Sequence, residues 1–168
     1  KHTDTKLWLE EIALYERARK DLEVIRRASI WGLPVFDGEA YNKALETYLL
    51  RLQSFRDKYQ KLMTSKQVDL AILSTRIFVE VYEHVGESIA TVRPQGMDEG
   101  MAPSFQKAMK QLSLQFFKAS KQYDKQLVQA LKEQETMTWG SRSIASIEQV
   151  ENPVFSFFTG LTMDKSKE

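Results

Sequence analysis

Between residues 41 and 62 the sequence places a large apolar or aromatic side chain at every third or fourth position. These side chains belong to Tyr41, Leu45, Tyr48, Leu52, Phe55, Tyr59 and Leu62. Residues three and four apart share one face of an α-helix, and alternating steps of four and three are typical of helices that pack lengthwise on one another. The spacing therefore predicts one long helix here, together with other helices that cover its stripe.

Three more segments show helical periodicity, and short breaks separate all four. The breaks are Gly32-Leu33-Pro34, the Thr64-Ser65 turn and Pro94-Gln95-Gly96, because glycine and proline end helices. Asp37 is placed to cap the start of the second helix. The predicted helices cover residues 5–31, 38–63, 66–92 and 104–135.

These helices predict an all-α fold with one shared interior. The short connections favour two antiparallel helical hairpins, the first helix with the second and the third with the fourth, as a TPR-like α-solenoid or a bundle. The residues that we expect to be buried are Leu45, Leu52, Phe55, Phe78, Tyr82, Leu112 and Phe116.

A tail with a different character follows the helices. We expect residues 1–150 to form the helical domain, ending in a short helix over 143–150, and residues 151–168 to form a C-terminal tail. The tail carries five large apolar residues, Val154, Phe155, Phe157, Phe158 and Leu161. Such a cluster is rarely left in water. It either folds back between the hairpins or docks on a partner, and in the second case Phe155, Phe157 and Phe158 bind protein.

The composition argues against most catalytic chemistry. The chain has no cysteine and only two histidines, His2 and His84, which excludes disulfides, thiol catalysis and cysteine-based zinc sites. Glu80 precedes His84 by four residues, but one such pair is too few ligands for a metal, so we interpret His84 as a packing or surface residue. Phosphate loops and nucleophile elbows do not occur. We expect no enzyme activity, no cofactor and no metal.

The charges balance overall but separate locally. There are 24 basic and 23 acidic residues, for a net charge of +1, so no global field attracts nucleic acid or membrane. The fourth predicted helix is net basic, and Leu114 fills the gap in its stripe of lysines. The stripe consists of Lys107, Lys110, Lys118, Lys121 and Lys125.

Two interpretations of this lysine stripe remain open. It is either a solvated face whose helix is attracted to the net acidic third helix, or a docking face for an acidic protein surface, an acidic peptide or anionic head groups. The stripe contains no arginine and no interleaved aromatic residue, so nucleic acid is not expected as a partner.

One stretch of the chain resembles a known family. The segment 77–83 leads through the loop Arg93-Pro94-Gln95-Gly96-Met97 into a long helix rich in Phe and Leu, and then to Met137-Thr138-Trp139. Over residues 41–140 this pattern resembles the long-helix regions of large TPR-containing bacterial cell-envelope proteins. The resemblance implies a non-catalytic scaffold in the periplasm or envelope, as a piece of a larger protein, and it implies no catalytic residue.

The leading hypothesis is thus a helical protein–protein interaction or scaffold module. The alternatives are a homo-oligomeric structural bundle and a helical protein that binds a small ligand or a metal. No run of 18 apolar residues occurs, so no transmembrane segment is expected. The start at Lys1 is consistent with a processed protein or a fragment, in the envelope or otherwise in the cytoplasm.

Overall fold

The computed structural model describes residues 2–28 and 37–133, and in this part of the chain all regular structure is helical. The elements are α1 (His2–Arg27), α2 (Gly38–Tyr59), which continues as a 3-10 turn (Gln60–Thr64), α3 (Val68–Ala90) and α4 (Ala102–Glu133). The all-α prediction is confirmed. The predicted short helix at 143–150 and the tail at 151–168 lie outside the described residues.

The helix ends are set by local hydrogen bonds. Asp37 caps α2 as predicted, because its Oδ1 accepts hydrogen bonds from the backbone N–H groups of Glu39, at 2.9 Å, and Ala40, at 3.3 Å. Before α4, the carboxylate of Asp98 accepts from Gly100 N at 2.8 Å, and its carbonyl accepts from Ala102 N at 3.1 Å. These bonds start α4 two residues earlier than predicted.

α3 is the central helix of the described structure. It packs against α4, α1 and the 3-10 turn, and its Phe78 ring lies 5.5 Å from the Phe55 ring of α2, centroid to centroid. Twelve of its 23 residues are buried. This is consistent with its sequence, in which apolar residues lie on most sides of the helix rather than on one stripe. The shared interior therefore surrounds α3, although the most regular stripe in the sequence belongs to α2.

α3 and α4 run in opposite directions along their full contact. At one end Ile72 and Leu131 belong to the same buried cluster, and further along α3 the rings of Tyr82 and Phe116 lie 6.5 Å apart. Residue numbers rise along α3 as they fall along α4. This long contact fixes how α4 is rotated about its own axis.

Most of the predicted interior is confirmed, with two exceptions. Leu52, Phe55, Phe78, Tyr82 and Phe116 are buried. Leu45 and Leu112 were expected to be buried, but both are only partly buried and pack against the margin of the main cluster. Each occupies the edge of its helix stripe, where the described helices cover it only in part.

The N-terminal part of α1 lies beside the turn between α2 and α3 and is exposed among the described residues. Glu11 Oε2 accepts a hydrogen bond from Ser65 Oγ at 2.7 Å, which places Glu11 beside the turn between α2 and α3. Residues 5–10, on the N-terminal side of this contact, are all exposed. Trp8 shares a face of α1 with Tyr15 and Leu22, seven and fourteen residues further on, yet it is 44% exposed.

Candidate protein-binding face on α4

The five predicted lysines lie together on the outer face of α4. At 3.6 residues per turn they fall within an arc of roughly 80° and extend for about 27 Å along the helix. All five side chains are exposed. The opposite arc of α4 is buried and consists of Ser113, Phe116, Ser120, Leu127 and Leu131. The lysine stripe is therefore a continuous surface, as the sequence predicted.

Close contacts on the inner side hold this face outward. Ser120 Oγ donates a hydrogen bond to the carbonyl of Val79 in α3 at 3.3 Å. The backbone of Gly86 approaches the Phe117 ring so closely that an added Cβ would lie 2.9 Å from Phe117 Cε1. A rotation of α4 that hid the lysines would break both contacts.

Within residues 2–28 and 37–133, no carboxylate forms an ion pair with the lysine stripe. The ion pairs of the described residues connect other side chains. The only carboxylates within α4 are Asp124 and Glu133, so the N-terminal two thirds of this helix carries positive charge alone. In the middle of the stripe Leu114 is 47% exposed.

The N-terminal half of the stripe borders a shallow depression in the surface. Its lining consists of Pro103, Gln106, Lys107, Lys110, Gln111 and Leu114. Apolar Leu114 and the methylene stems of the two lysines offer contact area, while the ammonium groups remain in water. Among the described residues, this part of the surface thus combines apolar contact area with ammonium groups that form no ion pair.

A second surface feature, which the sequence analysis missed, is a cleft of about 500 Å³ between α1 and α3. Glu80 lies in it and accepts hydrogen bonds from Arg26 Nη2 at 2.7 Å and from Arg76 Nε at 3.0 Å. Arg26 also donates to Glu23 at 2.9 Å. These charges pair with one another, so the network joins α1 to α3.

His84 lies near this network on α3. Burial, followed by the charge of Arg26, lowers its pKa below the usual value, and Glu87 partly opposes the change. Its Nε2 is 3.4 Å from Ser88 Oγ. In the described ranges no three His, Cys, Asp or Glu side chains are grouped to hold a metal ion. Both carboxylate oxygens of Glu80 accept hydrogen bonds from arginines, so Glu80 and His84 do not form a pair of metal ligands.

Four tyrosines on the apolar stripes of α2 and α3 are packing residues of the interior. Tyr41, Tyr48, Tyr59 and Tyr82 are all buried. Tyr59 Oη donates a hydrogen bond to Asp21 Oδ2 at 2.6 Å, and burial together with this carboxylate raises the pKa of Tyr59 to about 12. Burial also raises the pKa of Tyr82 to about 12.

The other predicted binding residues, Phe155, Phe157 and Phe158, lie outside the described residues. Within residues 2–28 and 37–133, no helix combines the length and the apolar character that crossing a membrane requires. A scan against protein-family models, a search of curated proteins and a search of solved structures each found no match.

Proposed function

We propose that this chain is a non-catalytic helical module that binds another protein, and that an acidic surface of that protein docks on the outer face of α4. The observation that carries the proposal is the set of five exposed lysines that have no ion-pair partner among the described residues. Exposed like charges aligned on one face repel one another, and an acidic partner relieves this repulsion.

The wider setting is also part of this proposal. The sequence resemblance is the basis for placing the module in a larger TPR-containing protein of the periplasm or cell envelope. Two TPR-like hairpins are supported by the antiparallel contact of α3 with α4 and by the hydrogen bond between Tyr59 and Asp21. In such a scaffold the apolar segment 154–161 supplies a second contact for the partner.

The test is a comparison of two charge reversals in the full chain. Lys118→Glu/Lys121→Glu reverses the stripe, and Lys43→Glu/Lys66→Glu makes the same net change at exposed lysines elsewhere. Proteins captured from a native envelope extract by the wild type and the control, but lost with the stripe variant, are the expected partners, and their contact surfaces should be acidic. Equal capture by all three chains would refute the proposal.

A homo-oligomeric bundle is the second candidate, and one observation favours it. Leu7, Trp8 and Leu9 are 51%, 44% and 55% exposed near the N-terminal end of α1. They point to different sides of the helix, and large apolar side chains exposed together at one helix end favour burial against another molecule. Light scattering over a range of concentrations tests this. A dimer that dissociates in a Leu7→Ser/Leu9→Ser variant would support self-association, whereas a monomer at every concentration would exclude it.

A further inference from the structure

The spacing of the lysine stripe points to the shape of its partner. From Lys107 to Lys125, with Leu114 included, successive members are separated by 3, 4, 4, 3 and 4 residues. Steps of three and four are the spacing of one face of an α-helix, so the stripe is straight, narrow and about 27 Å long. A partner that meets all of its lysines at once is therefore elongated along α4, and a helix lying lengthwise on α4 has that shape.

We infer that α4 binds an acidic α-helix, which lies along the lysine stripe and presents carboxylates three and four residues apart with an apolar residue opposite Leu114. The inference rests on the proposed protein-binding function and specifies the chemistry of the partner. Each carboxylate faces an ammonium group of α4, and Leu114, 47% exposed, packs on the apolar residue at the centre. Leu114 thereby fixes the register, because a shift of the partner by one residue moves its apolar side chain away.

The surroundings of the stripe favour a narrow partner over a membrane. Glu83 and Glu87, one helical turn apart, are exposed on the same side of α3, next to Gly86, which contacts Phe117 of α4. An anionic bilayer is broad enough to meet these carboxylates as well as the lysines, and it would be repelled by them. A single helix, about 10 Å wide, fits on the stripe alone.

The stripe also lacks what insertion into a bilayer requires. A helix that lies in the membrane interface buries several apolar residues, whereas the large apolar residues of α4 face the interior and Leu114 is the exception within the stripe. A lysine stripe with a single exposed apolar residue favours binding in water to a partner of opposite charge.

The experiment uses the full chain and two labelled synthetic peptides of about 20 residues, long enough as helices to span roughly 30 Å. One peptide has glutamates at steps of three and four around a central leucine. The other has the same composition with its glutamates distributed around the helix. Vesicles containing phosphatidylserine are the third probe. Binding is measured by fluorescence anisotropy at low and high salt, and peptide helicity by circular dichroism.

The patterned peptide is expected to bind about tenfold more tightly than the scrambled one, a difference of about 1.4 kcal/mol, and to gain helicity on binding. Lys118→Glu/Lys121→Glu should weaken its binding at least about tenfold, Leu114→Ser several-fold, and the matched control Lys43→Glu/Lys66→Glu by less than about twofold. Added salt should weaken the binding because the stripe is exposed.

The contrary outcomes are distinct. Equal binding of the two peptides would overturn the helical partner and leave the acidic-surface proposal standing. Binding of vesicles with neither peptide bound would overturn both, because the stripe would then recognise lipid. No binding of any probe at low salt would overturn the inference, while the capture experiment with envelope extract would still decide the proposed function separately.

Discussion

The substitution Gly86→Ala tests the contact that holds α4 in place, because two opposite effects meet at this position. Alanine in place of glycine within a helix stabilises by about 1 kcal/mol when there is room for the methyl group. Here the new Cβ would lie 2.9 Å from Phe117 Cε1, 3.0 Å from Cδ1 and 3.1 Å from Cζ. Carbon atoms in contact are normally about 3.5–4.0 Å apart, so the ring has to retreat.

The size of the two effects decides the expected sign. Overpacking of this kind costs about 1–3 kcal/mol, against a gain of about 1 kcal/mol from the helix preference of alanine. We therefore expect Gly86→Ala to lower the free energy of unfolding by up to about 2 kcal/mol. Ala108→Gly, at an exposed position of α4, measures the glycine penalty without any tertiary contact and serves as the control.

The assay is a double-mutant cycle followed by urea unfolding. In a Phe117→Ala background the ring is gone, so Gly86→Ala should stabilise by about 1 kcal/mol instead of destabilising. The coupling energy between the two positions should then be about 1–3 kcal/mol. If Gly86→Ala stabilised the wild type and the Phe117→Ala variant equally, α3 and α4 would not approach here as closely as described, and the outward orientation of the lysines would lose its main support.

Three further predictions follow from burial and from the pKa changes. Leu52→Ala should destabilise by about 2–5 kcal/mol through lost burial and a cavity, whereas Leu50→Ala, at a residue that is 58% exposed, should change the free energy of unfolding by less than about 0.5 kcal/mol. Because the folded state lowers the pKa of His84 below 6.5, stability should fall as pH drops from that value through the folded pKa, and His84→Gln should make this loss in acid urea titrations smaller. Because folding raises the pKa of Tyr59 from 10.0 to about 12, stability should fall as pH rises between these values, and Tyr59→Phe should flatten that alkaline loss in circular dichroism; an unchanged pH profile in either variant would contradict the assigned cause.

Local periodicity was sufficient to predict the helices and the lysine stripe. A helix repeats every 3.6 residues whatever surrounds it, so the spacing from Tyr41 to Leu62 predicts a buried stripe. The lysines of α4 lie opposite its apolar residues, and their exposure follows from that. The Asp37 cap is equally local, since its hydrogen bonds reach only two and three residues ahead.

Other features depended on contacts between residues far apart in sequence. Arg76 and Glu80 are one helical turn apart and were recognisable as a pair, but Arg26 joins them across 54 residues. The need for glycine at position 86 could not be predicted from the sequence, because it arises from the contact with Phe117 of α4. The central position of α3 could be recognised in the sequence, since apolar residues surround most of this helix. The regular stripe of α2 is the more conspicuous pattern, although α2 is not the central helix.

The sequence by itself determined which segments are helical and which face of α2 and α4 is apolar, because those properties depend on neighbours within one or two turns. Only the tertiary structure decided that Trp8 is exposed and that Leu45 and Leu112 are half-buried. The physical reason is that an apolar face favours burial, but it does not determine which other helix covers it. Whether a given side chain is covered depends on where the other helices lie, and the described helices leave Trp8 44% exposed.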